Sequence, residues 1–550
     1  MSQDFLVYQF EAVSIQEYIM ASFKLKEMVG ASQLLETLTD SILEQVVGTV
    51  GLNVLPEFSE PSLNEDSIYF PRQSGGVFLA VMRNSDKANQ FIDLWPLVVQ
   101  TSVPGLKFSV ANAVNSNIKE AFSQVRESLN SEKNAPKISL PELTPICMRS
   151  PRTGGAVYET QLDNGNYISI DYPTHVKNLT QNRAKESFEK VTKKWLPESH
   201  KNMIFPNVFD HSKEAENETH FPFSGKEGEH TIAIVHADGN GIGQFIRDFF
   251  NQLNTLDDAK FLAAYAVFSK GMDNATQKAA QTAMKWLIEK TENRNISALP
   301  IRPLILSGDD VTCIIHSDYA FGFMQKLTHS FEEESKYELD KLLEIDKTAR
   351  DVFKEYLTMT TGMVFLRSNQ PFYMGYQLAE SLCSHAKDKG RQYQSKNGDI
   401  APSLLSFVHS TSTLFEEAED YFKTEMTTSK GTRLTQSHYG FGKLSKPENI
   451  KDLVMLKDLQ ALSNCFSSDT LNISVVREIA TYLQFDLNHA ERLIKRWREL
   501  KSPQLVSFEQ SLVIFGLDSL EALLTINNPI SDLIAYQGIN PIMLDEGEKR

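Results

Sequence analysis

Apolar positions along the chain alternate between two periods. Strand-length apolar runs occur in LVYQFEAV (Leu6–Val13), in SIYFPRQSGGVFLAVMR around Gly75-Gly76, and in LKFSVANAV. They return in TIAIVHAD, PLILSGDDVTCIIH and LTMTTGMVFL. Runs of this length, bounded by glycine or acidic turns, predict buried β-strands. Between them apolar residues recur every three or four positions. The stretches are SIQEYIMASFKLKEMVGASQLLETLTDSILEQV, SDKANQFIDLWPLVVQT, about Asp257 to Thr291, and MGYQLAESLCSHAKDKG. That spacing predicts helices, the first of them interrupted at Gly30.

Two regions share one order of elements: strand, helical stretch, strand, turn, strand, helix, strand, helix. This is the split β-α-β-β-α-β arrangement of the ferredoxin-like kind. One offset places Glu11 on Asp238, Ile15 on Ile242, Tyr18 on Phe245 and Ile19 on Ile246. The SGGVFLA hairpin then lies against SGDDVTC, with Gly76 on Asp309 and Val77 on Asp310. A divergent duplication accounts for both. Four regions follow: 1–135 and 231–400 as the two copies, 136–230 as a more polar intervening domain, and 401–550 as a mostly helical C-terminal domain.

The 550 residues exceed what one core holds, which agrees with several domains. A formal net charge of −16 advertises no broad basic nucleic-acid footprint. Cys147, Cys313, Cys383 and Cys465 form no C-x-x-C pair, so neither a disulfide framework nor a zinc ribbon is evident. MSQDFLVYQFEAV has no basic, long-apolar leader pattern, and the apolar runs are too short to span a bilayer. A cytoplasmic protein with no membrane contact is expected.

The chemistry concentrates where strand ends converge. The first strand of the second copy ends in Asp238, and its hairpin turn carries Asp309 and Asp310. In this topology the first strand is central and neighbours the hairpin, so the three carboxylates are expected at one point. They would repel one another unless a cation neutralised them. Few, hard oxygen ligands favour Mg2+ or Mn2+, and a two-metal site would serve phosphoryl transfer. Gly239, Gly241 and Gly243 then open a helix whose free N–H groups suit a phosphate. Lys387, with Lys389 and Arg391 on one helix, is placed to reach a nucleotide's phosphates or simply to face solvent. His236 and His385 are assigned no chemistry.

ADGNGIG, SGDD and AESLCSHAKDKGR together resemble the palm domain of nucleotide cyclases and polymerases. The last stretch resembles the A-K-x-x-G-R tail of GGDEF diguanylate cyclases. The whole chain is most similar to the large palm-containing subunit of type III CRISPR effector complexes. Gln16, Ser22, Lys24, Leu25, Gly30, Ala31 and Ser32 fall in that family's first-palm pattern. The resemblance implies an α+β fold of two palms, an intervening small domain and a C-terminal helical domain. It implies that Asp238, Asp309 and Asp310 are metal-binding and catalytic, with Ser307 and Gly308 opening the G-G-D-D-like motif. Lys387 matches the phosphate-contacting lysine, and Ser22, Lys24 and Ser32 help form a second nucleotide site.

The resemblance further implies that ATP is converted to cyclic oligoadenylate, a second messenger of antiviral defence. Guide RNA and other effector-complex subunits are the implied partners. Three departures are visible. The sequence opens at the first palm and contains no H-D dipeptide, so no nuclease activity is expected. Cys147 has Ser150 where a partner cysteine is usual, so no zinc is expected. Gly76 and Val77 stand where acids would bind metal, so the first palm is expected not to catalyse. Two other functions fit the same residues: a non-enzymatic scaffold of an RNA-guided complex, and a standalone signalling cyclase acting as a homo-oligomer.

Overall fold

The computed structural model describes residues 4–21, 24–58, 60–134, 146–163, 166–184, 190–209, 220–223, 230–253, 256–292, 298–345, 355–397, 400–410, 415–444, 453–466, 471–499 and 503–544. Strand β1 (Phe5–Val13) pairs antiparallel with β4 (Val77–Arg83) on one side and β5 (Lys107–Asn115) on the other. With β2 (Asn53–Leu55) and β3 (Ser67–Ser74) they form a sheet ordered β2-β3-β4-β1-β5. The second copy repeats this. Its central strand β8 (Thr231–Gly239) lies between β10 (Asp310–His316) and β11 (Met359–Arg367), with β9 (Ile301–Ser307) beyond β10.

The register carries the duplication to single residues. Phe10 stands opposite Phe78 and Ala237 opposite Val311. One step on, Glu11 faces Val77; in the second palm the paired ladder ends at Ala237 and Val311, and the same step leads to Asp238 and Asp310. The first palm therefore offers an apolar residue at the place where the second offers an acid.

Helices cover both faces of each sheet, which is why the strands read as nearly continuous apolar runs. In the first palm, Phe5 and Val7 pack with Ile118 and Val125 of α5 (Ile118–Asn134). Leu6, Tyr8 and Phe10 pack on the other face with Phe91 and Trp95 of α4 (Asp86–Ser102). That side also carries α1 (Ile15–Met20), α2 (Leu25–Thr37) and α3 (Leu43–Val50). In the second palm, α8 (Ile242–Leu253), α9 (Asp258–Thr291) and α10 (Ser317–Ile345) share a core with Ala233, Val235 and Ala237. The opposite face, from Ile232 and Ile234, lies under α11 (Phe372–Asn397).

Gly30 does not interrupt its helix. α2 runs through it because the intervening domain's α6 (Tyr172–Ala184) lies directly against it. The Lys177 carbonyl occupies the space a Cβ would take. Lys177 is itself buried, and its Nζ donates to Tyr18 O at 2.7 Å. Arg152 pairs with the buried Glu27 at 3.0 Å, a second tie between these regions. The rest of the intervening domain holds the hairpin β6 (Val157–Asp163) and β7 (Asn166–Asp171) and helix α7 (Lys190–Trp195). Cys147 is exposed, whereas Ser150 is buried.

The second sheet continues past the boundary expected near residue 400. β12 (Leu404–His409) joins β11 in parallel, and β13 (Tyr439–Gly440) joins β12. LLSFVH is an apolar run of strand length, a signal outweighed by the helical sequence around it. The C-terminal helices are α12 (Ala418–Glu425), α13 (Leu456–Asn464), α14 (Ile473–Phe485), α15 (Leu487–Glu499), α16 (Pro503–Leu512) and α17 (Ile530–Ile539). Asp532 of α17 accepts from Tyr439 Oη at 2.6 Å and from Gln436 N at 2.8 Å, which docks this helix on β13. No helix of the described residues is long and apolar enough to cross a membrane.

Candidate active site

Alternation along β8 sends His236 and Asp238 to the face covered by α11, and β10 sends Asp310 and Thr312 the same way. Asp309 occupies the tight turn before β10, where Gly308 takes a φ of +59°. Gly239 has no side chain because Asp309 fills that space: a Cβ there would lie 2.8 Å from Asp309 Oδ2. The turn therefore delivers Asp309 onto the end of β8, hydrogen-bonded to Asp238. Lys387 of α11 ion-pairs with Asp238, and its Nζ donates to Gly239 O at 2.9 Å.

The three carboxylates differ in charge. Burial raises Asp238, but Lys387 and the hydrogen bond from Asp309 outweigh it and hold it below the ordinary carboxylate value. Asp309 is driven well above that value by burial and by the Asp238 charge. The contact therefore favours the ionised form of Asp238 and the protonated form of Asp309. Burial and the Asp238 charge also push Asp310 up to about 7. Gln16 of the first palm works against that shift, donating Nε2 to Asp310 Oδ2 at 2.6 Å. Asp310 Oδ1 is buried without a hydrogen-bond partner, with His236 Nδ1 at 3.5 Å. Burial lowers His236, so this contact is not a charge pair.

Both hairpin turns close one cleft of about 200 Å³ between the palms. Ile15, Ile19 and Leu35 line it from the first palm and Ile242, Ile246 and Phe268 from the second, with Asp309 and Asp310 also in its wall. Ser32 lines the cleft and donates Oγ to Leu304 O. Ser307 and Gly308 form its rim. Gly241, at φ +69°, turns the chain into α8. Gly243 follows in the first turn of α8, with open space where a Cβ would be. Lys24 precedes α2 and does not line the cleft. Burial, Arg152 and Lys26 lower its amine to about 8. Ser22 lies outside the described residues.

The expected convergence of three acids is a pair plus a neighbour. Asp238 and Asp309 touch, while Asp310 is held by Gln16 on the other side. Among the described residues no group of three or more His, Cys, Asp or Glu side chains is arranged to hold a metal ion. Two touching carboxylates still fit Mg2+ or Mn2+, which take one or two protein carboxylates and complete their shells with water and phosphate. The all-oxygen donor set agrees with that choice.

Several residues here escaped sequence reasoning. Gln16 falls in the first-palm pattern, but spacing alone gives no sign that it reaches the other palm. Asn240 ties the end of β8 to its neighbours, donating Nδ2 to Thr358 Oγ1 at 3.0 Å and to Pro402 O at 3.1 Å. Asp273 interrupts the apolar stripe Tyr265–Phe268–Met272 of α9, and that was its legible signal. Glu11, the counterpart of Asp238, is engaged by Lys133 at 2.6 Å.

Residues 231–395 match the family described as Cas10/Cmr2, second palm domain. No curated protein matches the chain. Among solved structures it resembles a Csm1–Csm4 cassette in complex with cA4, at 13% identity and a TM-score of 0.51, covering 98% of this chain and 70% of that one. A Csm1–Csm4 cassette in complex with pppApA matches at 13% identity and a TM-score of 0.50, covering 98% and 69%. At such identity the likeness bears on the fold, which it extends over both palms and the C-terminal region. Residues 231–395 are thus matched by sequence to the second palm domain of Cas10/Cmr2, and the chain as a whole resembles the Csm1–Csm4 cassettes in fold.

Proposed function

We propose that this protein is a metal-dependent nucleotidyltransferase that joins ATP into cyclic or linear oligoadenylates, within a type III CRISPR-type defence. The observation that carries this reading is the contact of Asp238 and Lys387 with Asp309, which itself lines a cleft shared by two palms. The adenylate ligands of the two fold neighbours support the choice of ATP, and their Csm1–Csm4 pairing supports a partner subunit. Guide RNA is a further proposed partner.

Asp238 and Asp309 would hold the divalent cation. The bound cation supplies Lewis-acid stabilisation of the phosphoryl group in transfer. Asp309 must first release its proton, so cation binding tightens as pH rises. Lys387, freed from Asp238, turns its ammonium to the departing phosphates, and the N–H groups opening α8 face the same charge. The apolar cleft walls exclude water from the reacting phosphate. The 3′-hydroxyl oxygen of one nucleotide forms a bond to the α-phosphorus of another while its proton passes to solvent, the bond from that phosphorus to the α–β bridging oxygen breaks, and pyrophosphate leaves. The first palm, with Val77 opposite Glu11, serves as a wall and platform for the second nucleotide.

The test is incubation of the full chain with labelled ATP and Mn2+, with and without its co-purifying RNA. Oligoadenylate and pyrophosphate are the expected products. No product from the wild type under either condition overturns the reading. Gln16→Ala checks the first palm's share. It removes the donor that holds Asp310 down, so Asp310 rises further, its charge beside the cation site is lost at higher pH, and the acid limb of the pH–rate profile moves up. Activity near neutrality then falls by roughly 3–10-fold, the scale of one hydrogen bond. An unmoved profile sinks that role.

A further inference from the structure

Two hydrogen bonds grip Gly308, and a third reaches one of the same partners from the other palm. Gly308 N–H donates to Asp273 Oδ1 at 2.8 Å, and Gly308 O accepts from Thr276 Oγ1. Asp273 and Thr276 lie about one turn apart on α9, so one helix face grips both ends of the residue before Asp309. Ser74 Oγ, from β3 of the first palm, donates to that same Asp273 Oδ1 at 2.8 Å. The next residue, Gly75, has a φ of +65°, and a Cβ there would overlap Ser307 Oγ. The two hairpin tips are thus in contact, with no room for a side chain between them. Arg72, on the same strand, hydrogen-bonds Tyr265 and lies within charge range of Asp273 and Glu11.

We propose that Asp273 is a positioning residue whose single carboxylate oxygen ties the turn carrying Asp309 to the hairpin of the first palm. The first palm thereby sets the orientation of the second palm's acidic pair. The kinetic consequence rests on the nucleotidyltransferase reading, whereas the tether itself does not. Asp273 is half-buried and lines the cleft beside the turn, where its hydrogen bonds go to Gly308 N and Ser74 Oγ, so its effect on the acidic pair passes through the Gly308 peptide. An amide at this position keeps an oxygen able to accept from both donors, but it loses the charge facing Arg72. Alanine removes both functions.

Hydrogen exchange of the full-length protein reads the tether without any substrate. Two peptides matter, one covering residues 72–78 and one covering 305–311. Asp273→Ala and Ser74→Ala are both expected to speed exchange in 305–311, by about tenfold for Asp273→Ala and a few-fold for Ser74→Ala. Asp273→Asn should stay within about threefold of the wild type. In steady state, Asp273→Ala should lower kcat by about tenfold with KM for ATP within about threefold, the signature of misplaced acids rather than lost binding. Should Asp273→Ala loosen both sheets uniformly, Ser74→Ala decides. Wild-type exchange in 305–311 for Ser74→Ala overturns the tether, as does exchange that rises in 72–78 alone. A wild type that makes no product sinks the functional reading and leaves the exchange result to decide the tether.

Discussion

Asp309→Asn is expected to lower kcat for oligoadenylate formation by about 10³-fold or more, while the metal-free variant melts no lower than the wild type. The loss follows from removing one of two cation-holding carboxylates, an interaction worth several kcal/mol in the transition state. The stability claim follows from charge. Asp309 is held well above the ordinary carboxylate value by burial and by Asp238. Stability from such a raised acid is full below its unfolded value and is lost as pH rises through the folded one. An amide mimics the protonated form at every pH. Calorimetry at about pH 5 and about pH 8 should therefore show the variant gaining on the wild type at the higher pH. Added Mn2+ should raise the wild-type melting temperature and leave the variant's unchanged. A variant retaining a tenth of wild-type activity would refute the assignment of Asp309.

Gly362→Ala is expected to destabilise the second palm by about 3 kcal/mol, at the upper end of overpacking. Gly362 sits on β11 between His236 of β8 and Ser406 of β12. A Cβ there would overlap the Ala379 carbonyl and come within 2.7 Å of Cys383 N. Both are backbone atoms of α11, and a helix backbone yields only by moving as a whole. That movement would carry Lys387 away from Asp238, so activity should fall with stability. Gly390, on the same helix, is the control, because a Cβ there meets only ordinary contacts, the nearest Leu404 Cδ1 at 3.6 Å. Alanine at 390 should leave stability unchanged or raise it by up to about 1 kcal/mol, the helix preference over glycine. Urea denaturation of the two variants checks both. Equal stability would mean that the contact of α11 with β11 is looser than described.

Much of the site was legible because its residues sit at strand ends and turns, where topology fixes neighbours. Asp238 and Asp309 met because a split β-α-β-β-α-β sheet places its first strand beside its hairpin, a consequence of element order alone. The offset pairing Glu11 with Asp238 was legible for the same reason, since period-two alternation preserves register. Contacts between the palms were not legible. Gln16 meets Asp310 across 294 residues and Asp273 meets Ser74 across 199, and no periodicity encodes which side chain a second domain will meet. Gly30 was misread as a helix break because glycine disfavours helix locally, and only the approach of Lys177 from another domain explains its place. β12 was missed because an isolated apolar hexamer among helices carries no strand partner in its own sequence.

The reach of the second sheet beyond residue 400 bears on how this protein can be divided. The matched family segment stops at 395, but β12 hydrogen-bonds along the outer side of β11. A fragment trimmed at that point would lay bare a row of unsatisfied amides and carbonyls on a strand whose residues from Met359 to Leu366 are all buried. Such an edge recruits other chains, so an isolated palm cut there would be sticky. The smallest well-behaved unit extends at least through Gly440 and brings with it the helix that Asp532 fastens to β13.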